Sequence, residues 1–214
     1  MEFIAQNLAD YAEKHTSPEP TLLAELNRDT YANVLTPRML SGHIQGRVLS
    51  MFSKMIKPKA ILEIGTYTGY AALCMAEGLT ADGILHTIDI DEELETRINK
   101  FVSQSPFAHQ VKLHIGNALD IIPTLNESFD LVFIDADKEN YAAYYDLLID
   151  RLPGGAVLIA DNVLWSGKVL DADQLPTDND TKALDSFNKK IQADSRVENV
   201  LMPIRDGLMV IRKK

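Results

Sequence analysis

The sequence predicts an α/β fold with a seven-stranded, doubly wound sheet. From residue 60 onward, short apolar runs alternate with helical patterns, which is typical of right-handed βαβ crossovers in a parallel sheet. The runs are nearly continuous in Ile, Leu and Val, as in strands covered on both faces. The last two runs are joined through Asp206-Gly207, a hairpin signal that makes the last strand antiparallel. The predicted architecture is Rossmann-like, with N-terminal helices added.

Each element can be placed by its pattern. The predicted strands are 60–65, 83–90, 111–116, 129–136, 154–162, 198–204 and 206–214. The predicted helices between them are 70–79, 91–104, 118–125, 138–151 and 180–193.

Residues 1–57 form a predicted helical extension, and residues 58–214 form the sheet domain, in one compact unit. Apolar positions recur at helical spacing, and proline residues mark the breaks. A third helix, 41–56, is expected to stop before Pro58. These helices are in a position to cover a cofactor, a substrate mouth or a dimer partner.

Composition narrows the class of protein. The chain has 214 residues and a net charge of −10, which argues against a general nucleic-acid binder without excluding a local basic mouth. Apolar stretches are too short to span a membrane, and Glu2 stands where a signal peptide carries positive charge. We therefore expect a cytoplasmic protein. The single Cys74 excludes an intrachain disulfide and is expected to be a small buried residue.

The first strand is followed by a glycine-containing turn. Gly65 and Gly69 are spaced G-x-x-x-G, unlike the G-x-G-x-x-G of dinucleotide sites, and no Lys-Ser/Thr pair of a phosphate loop follows. Asp89 ends the second strand, where a carboxylate commonly binds ribose hydroxyls. An adenosine ligand without a pyrophosphate fits, and S-adenosylmethionine (SAM) is the predicted cofactor. Alternatively, the two glycines serve only the turn.

Glu63 favours the cofactor interpretation, because a carboxylate inside an apolar strand needs a partner. It is predicted to meet the ammonium of the SAM tail. Thr66 and Tyr67, in the turn itself, are also predicted cofactor contacts.

Two further strand ends carry oxygen ligands. Asp135 ends the fourth strand, and Asp161 and Asn162 end the fifth, so the three side chains should converge at one edge of the sheet. Two neighbouring carboxylates repel each other unless a cation neutralises them. The set predicts a divalent cation site, with Mg²⁺ first and Mn²⁺ or Ca²⁺ as alternatives. Helix capping is the competing explanation for an Asp at a strand end.

Lys138 is the candidate general base. It lies three residues after Asp135, near the start of the next helix, where the helix dipole disfavours a positive charge. Alternatively, it is a solvated lysine that pairs with Asp137 or Glu139.

The motifs ILEIGTYTGYAAL, TIDID, FIDADKENY and ADNVLWSG, in this order and spacing, resemble the cation-dependent O-methyltransferases. That family includes plant caffeoyl-CoA O-methyltransferases, bacterial homologues and, more distantly, animal catechol O-methyltransferase. The resemblance covers residues 35–214, and the closing MPIRDGLMVIRKK is similar to the family's final hairpin. It implies methyl transfer from SAM to a hydroxyl of a small catechol-like or phenolic acceptor, and a homodimer.

The resemblance also implies roles for matching positions. Asp135, Asp161 and Asn162 would hold the metal, and Lys138 would be the base. The implied cofactor contacts are Met39, Leu40, Ser41, Glu63, Gly65, Ala71, Asp89, Ala118, Asp135 and Asp137. Ala71 stands where the family often has a serine, so a side-chain contact is lost there. Ser166, an implied substrate contact, replaces a frequent asparagine of the plant enzymes.

The acceptor pocket is less well specified. Trp165 either stacks on an aromatic acceptor or packs under the loop that follows. Residues 166–181 are rich in Asp and are predicted to form an exposed loop at the site mouth, which favours free small phenols over coenzyme A thioesters.

Three rival functions remain at this point. A tRNA wobble-hydroxyuridine methyltransferase would use the same cofactor and metal residues, with Arg28, Arg38, Arg47 and Lys168 as a basic rim, but the net charge weighs against it. A non-enzymatic cofactor-binding module does not need the metal ligands and Lys138 together. An NAD-dependent oxidoreductase is disfavoured by the glycine spacing.

Overall fold

The computed structural model describes residues 4–171, 173 and 177–214. It has a seven-stranded sheet in the order β3-β2-β1-β4-β5-β7-β6, which confirms the predicted fold. The strands are β1 Ala60–Ile64, β2 Ile84–Asp89, β3 Val111–Ile115, β4 Leu131–Ile134, β5 Val157–Ala160, β6 Val197–Met202 and β7 Leu208–Lys213. β1 to β5 are parallel, and β7 runs antiparallel between β5 and β6.

The α-helices are α1 Gln6–Lys14, α2 Thr21–Asn33, α3 Gly42–Ile56, α4 Tyr70–Ala76, α5 Glu95–Gln104, α6 Ala118–Ile121, α7 Tyr141–Ile149 and α8 Asn179–Ala193. Four of them, α4, α5, α6 and α7, are shorter than predicted. α6 gives way to a 3-10 turn that contains Pro123, which has no N–H to continue the helix. A second 3-10 turn, Lys138–Asn140, precedes α7. Among the described residues, no helix combines the length and the apolar character that a membrane span requires.

Helices cover both faces of the sheet. One core layer contains buried residues of α7 and α8, such as Tyr145 and Phe187, and the opposite layer joins Leu49 of α3 to α4. α3 ends at Ile56, beside the predicted domain boundary, but it packs on α4 and shares its core. α1 contributes no buried residue.

The closing hairpin brings its turn to the carboxyl end of β5. Ala160, the last residue of β5, is in register with Met209 of β7. The backbone N–H of Leu164 donates to the carbonyl oxygen of Asp206 over 2.9 Å. The residues that follow β5 are thereby fixed against the β6–β7 turn.

Candidate active site

A cleft of about 1790 Å³ lies at the carboxyl ends of the parallel strands. Its lining comes from the segments that follow β1, β2, β3, β4 and β5, from the turn between β6 and β7, and from the N-terminal helical region, which includes Arg38 and Met39. Small-molecule pockets are typically about 300–1,000 Å³. The cleft therefore has room for a cofactor and an acceptor side by side.

The turn after β1 explains both glycines. Gly65 has φ +97°, and a Cβ built on it would lie 1.9 Å from the backbone oxygen of Asp135, so a larger residue cannot be accommodated without displacing β4's end. Gly69 has φ +89° and begins α4. Between them, the backbone N–H of Tyr67 donates to Asp89 Oδ2 over 2.6 Å. This hydrogen bond fixes the turn to Asp89, the residue predicted to bind the ribose hydroxyls.

Glu63 is fully buried beneath this turn. The Thr87 hydroxyl donates to its Oε2, whereas its Oε1 has no hydrogen-bond partner in the described part of the chain. Burial, together with the charges of Asp135 and Asp89, raises the pKa of Glu63 well above its usual range. An unpartnered buried carboxylate oxygen with two more carboxylates nearby suits a ligand that carries positive charge.

The predicted cofactor contacts divide into two groups. Met39, Gly65, Tyr67, Asp89, Ala118, Asp135 and Asp137 line the cleft. Leu40, Ser41, Glu63, Thr66 and Ala71 are buried and are not among its lining residues. The Thr66 hydroxyl, for example, is hydrogen-bonded to Thr87. For this second group, cofactor contact stays a prediction.

The three candidate metal ligands lie close together in the segments that follow β4 and β5. Asp161 is 3% exposed, and burial together with the neighbouring charge of Asp135 raises the pKa of Asp161 to about 7. Asn162 has φ +58°, and its Oδ1 and Asp135 Oδ1 both accept hydrogen bonds from the same Lys138 ammonium. Within the described residues, no three His, Cys, Asp or Glu side chains form a metal-binding group, so a site here depends on the Asn162 amide.

Lys138 is buried rather than solvated, at 8% exposure. Its Nζ donates to Asp135 Oδ1 over 3.1 Å, to Asn162 Oδ1 over 2.8 Å and to the Tyr141 hydroxyl over 2.6 Å. These three acceptors match the three hydrogens of an ammonium group. The expectation of a solvated lysine paired with Asp137 or Glu139 is therefore wrong.

Two supporting residues were missed by sequence reasoning. Gln45 of α3 is 1% exposed, and its Nε2 donates to Asp161 Oδ2 over 2.5 Å. The Tyr141 hydroxyl accepts from Lys138 and donates to the backbone oxygen of Asp161 over 3.0 Å. The spacing of three residues between Lys138 and Tyr141 is a usable signal, since it places both on one helical face. Gln45 lies 116 residues from its partner and gives no such signal.

Trp165 and Ser166 line the far end of the cleft, at φ +47° and +54°. The Trp165 ring packs against the core and lies 5.8 Å from Lys138 Nζ, so both predicted roles of this residue are compatible with its position. The backbone N–H of Ser166 donates to Asp206 Oδ1 over 2.5 Å. Of the predicted mouth loop 166–181, residues 172 and 174–176 lie outside the described residues.

The predicted basic rim is wrong in part. Arg47 turns into the interface of α3 and α4, where it forms an ion pair with Glu77 over 2.7 Å, and Arg28 does not line the cleft. Arg38 does line it. The acidic residues of the lining are Asp89, Asp91, Glu93, Asp135, Asp137, Asp161, Asp180 and Asp206, and the basic ones are Arg38, Arg97, Lys138 and Arg205. This surface is unfavourable for a polyanion.

Comparison with known proteins identifies the family. A model of the O-methyltransferase family matches residues 13–214. The chain belongs to the O-methyltransferase family. It is 35% identical to caffeoyl-CoA O-methyltransferase of Mesembryanthemum crystallinum over 91% of this chain and 80% of that enzyme, and 33% identical to caffeoyl-CoA O-methyltransferase 1 of Nicotiana tabacum over 91% and 85%.

Solved methyltransferase structures share the fold over nearly the whole chain. The SAH-bound methyltransferase PaMTH1 of Podospora anserina has a TM-score of 0.89 at 29% identity, covering 98% of this chain and 94% of the other. The O-methyltransferase TomG of Streptomyces achromogenes, involved in tomaymycin synthesis and solved with SAM, has a TM-score of 0.87 at 27% identity, covering 97% and 96%. SAM is accordingly the cofactor of this O-methyltransferase fold.

Proposed function

We propose that this O-methyltransferase moves a methyl group from SAM to a hydroxyl of a small catechol-like acceptor, and that the reaction depends on a divalent cation. The observation that carries the proposal is the meeting of Asp135, Asn162 and Lys138 at one point of the cleft, with the buried Asp161 beside them. A simple cofactor-binding module has no use for this combination.

The residues fit a hard cation. Asp135, Asp161 and Asn162 would hold it through two carboxylates and one amide oxygen, which are ligand types that Mg²⁺ prefers. Asp161 is buried next to the carboxylate of Asp135, and among the described residues the cation near both is Lys138, which forms an ion pair with Asp135. When bound, the cation supplies positive charge that favours the ionised form of the acceptor hydroxyl.

The cofactor end of the cleft fits SAM. Asp89 is fixed by the Tyr67 N–H and lines the cleft where ribose hydroxyls are expected. The free Oε1 of Glu63 is an acceptor for the ammonium of the cofactor tail, reached directly or through water. SAM carries its methyl group on a positively charged sulfur, which the surrounding carboxylates favour.

In the proposed transfer, the acceptor hydroxyl gives up its proton as its oxygen forms a bond to the methyl carbon. The carbon–sulfur bond of SAM breaks, and the bonding electrons stay on sulfur. Lys138 would take this proton as a neutral amine, after its ammonium has passed one of its three protons to solvent, and its Nζ is fixed for that role among the predicted ligand oxygens. Trp165 bounds the acceptor side and restricts the orientation of the ring.

The charges of the cleft support a small acceptor over the runner-up, the wobble uridine of tRNA. A tRNA methyltransferase needs cationic residues that neutralise phosphates around the site. Arg47, one of the four predicted rim residues, is committed to Glu77, and Lys168 forms an ion pair with Asp178 over 3.2 Å. Phosphates of coenzyme A are disfavoured for the same reason.

The test is methyl transfer from labelled SAM to caffeate or another catechol, with Mg²⁺ and with EDTA. We expect turnover that EDTA abolishes, that Asp161→Ala abolishes, and that Asp146→Ala, a surface carboxylate paired with Lys190, leaves unchanged. Turnover that survives both EDTA and Asp161→Ala would refute the cation mechanism. Labelling of tRNA but of no catechol would replace the proposed acceptor with the runner-up.

A further inference from the structure

Arg205 adopts a backbone conformation that ordinary residues avoid. It lies in the turn between β6 and β7 with φ +50°. A non-glycine residue in the left-handed region carries strain, and such strain collects at binding and catalytic sites. The nearby Gly207 also has a positive φ, +90°, but there a Cβ would lie 2.6 Å from Leu164 Cγ, so that position needs glycine.

The arginine side chain is held at the wall of the cleft. Its Nη1 donates to the backbone oxygen of Leu40 over 2.9 Å, and the residue lines the cleft. The next residue, Asp206, accepts from the backbone N–H of Ser166, a predicted acceptor contact. Arg205 is thus anchored beside the predicted acceptor position.

The charge pairing of Arg205 differs from that of Arg97 and Lys138, two other cations that line the cleft. Arg97 forms an ion pair with Asp29, and Lys138 forms one with Asp135. Within the described part of the chain, Arg205 has no carboxylate within ion-pair distance, and its single hydrogen bond goes to the Leu40 carbonyl. A guanidinium has five N–H donors in a fixed fork, so most of its capacity is left for a planar anion.

We infer that Arg205 selects acceptors that carry a carboxylate, so that the substrate class is an acidic catechol rather than a neutral one. This inference rests on the proposed function. The other unpaired cation of the lining, Arg38, lies in the 3-10 turn Pro37–Met39 and has no anchoring hydrogen bond among the described residues. An anchored side chain loses less conformational entropy on binding, which favours Arg205 as the residue that binds the anion.

The test compares caffeate with its methyl ester, which differ in charge but keep the same catechol. For Arg205→Gln, we expect kcat/KM for caffeate to fall about 10- to 100-fold, the usual effect of losing a charge-assisted hydrogen bond. The value for methyl caffeate should stay within about twofold. Arg205→Lys should restore part of the loss, because it keeps the charge without the fork. Arg38→Gln is the matched control and should change neither value.

Three outcomes would overturn the inference. Equal losses on both acceptors would mean that Arg205 only supports the Leu40 segment. A raised Kd for SAM in Arg205→Gln would assign the guanidinium to the cofactor carboxylate. Wild-type kcat/KM values without preference for caffeate would mean that no carboxylate is recognised. Arg205→Gly, which the positive φ favours, guards against misfolding of the Gln variant and should show the same selective loss.

Binding measurements separate this inference from the proposed function. Calorimetric titration of caffeate and methyl caffeate into the SAH-saturated protein with Mg²⁺ does not require turnover. If wild type methylates neither compound, the proposed function fails. The inference about Arg205 then stands if caffeate binds more tightly than its ester only when Arg205 is present, and falls if the two bind alike.

Discussion

Replacing Gln45 with methionine should weaken divalent-cation binding at the proposed site about 10- to 100-fold. Methionine keeps the length of the side chain but removes the amide that donates to Asp161 Oδ2 over 2.5 Å. Gln45 is 1% exposed and Asp161 is 3% exposed, so water cannot readily replace the lost donor. Partners that orient metal ligands typically contribute a factor of about 10 to 100 to affinity.

The magnitude can be checked against hydrogen-bond energies. A hydrogen bond to a charged group contributes about 1.5–3 kcal/mol, and about 1.4 kcal/mol corresponds to a factor of ten. The other oxygen of Asp161 accepts from the Asn162 N–H over 2.7 Å, so the carboxylate keeps one of its two restraints. The effect should therefore be partial rather than a complete loss of binding.

The assay is calorimetric titration of Mn²⁺ and Mg²⁺ into the cation-free protein, with unfolding by urea measured in parallel. Gln110→Met is the matched control, because Gln110 is also buried and its Nε2 donates to the backbone oxygens of Thr80 and Gly83 over 2.8 and 2.9 Å. Both variants should lose about 1–3 kcal/mol of unfolding free energy. Only Gln45→Met should bind Mn²⁺ more weakly, and equal Mn²⁺ affinity in the two variants would refute the reasoning.

Further predictions concern the neighbouring supports. Tyr141→Phe removes the hydroxyl that accepts from Lys138 and should lower kcat about tenfold with an unchanged KM for SAM. The control Tyr145→Phe loses only a hydrogen bond to Asp194 and should leave kcat unchanged. Equal kcat values in the two variants would contradict this prediction. Gly65→Ala should abolish SAM binding, measured by calorimetry, because its Cβ would clash with the backbone of Asp135. In Gly155→Ala the nearest atom to the new Cβ is 3.8 Å away, so this variant should lose only about 1–2 kcal/mol of unfolding free energy. Burial opposes ionisation of Glu77, but hydrogen bonds from three side chains outweigh it and lower its pKa. The stability advantage of wild type over Glu77→Gln in urea unfolding should therefore be full near neutral pH and fade as the pH falls below the ordinary Glu value of 4.5; a constant difference would disprove the assignment.

The sheet and the ligand oxygens were predictable because they follow local rules. Apolar runs define the strands, and parallel strands bring their carboxyl ends to one edge, which is why Asp135, Asp161 and Asn162 could be expected near one another. The need for glycine at position 65 was also predictable, although the sequence could not show that the Asp135 carbonyl oxygen excludes a side chain there.

The directions of individual side chains were not predictable. Arg47 and Gln45 are two residues apart on α3, yet Arg47 points to Glu77 and Gln45 points to Asp161. A helical pattern shows which positions face the protein, but not which distant group each one meets. For the same reason, the place of Thr66 in the turn predicts it as a candidate contact, whereas its hydrogen bond with Thr87 decides where its hydroxyl lies.

Several residues of the site adopt backbone conformations that their residue types disfavour, so local sequence preference does not predict them. Among the described residues, the non-glycine positions with positive φ are Lys57, Tyr67, Asn162, Trp165, Ser166 and Arg205. All of them except Lys57, the C-cap residue that follows α3, line the cleft. Each such residue costs about 1–3 kcal/mol, a large share of a typical stability of about 5–15 kcal/mol.

The restraints that hold this strain are the contacts of the site itself. Lys138 donates to the strained Asn162, and Asp206 accepts from the strained Ser166. The hairpin turn with Asp206 is in turn fixed by its backbone bond from Leu164. Because these partners come from β4, β5 and the last hairpin, no single segment would adopt this geometry alone. The fold imposes the arrangement, and removing one partner should therefore disturb its neighbours as well as its own contact.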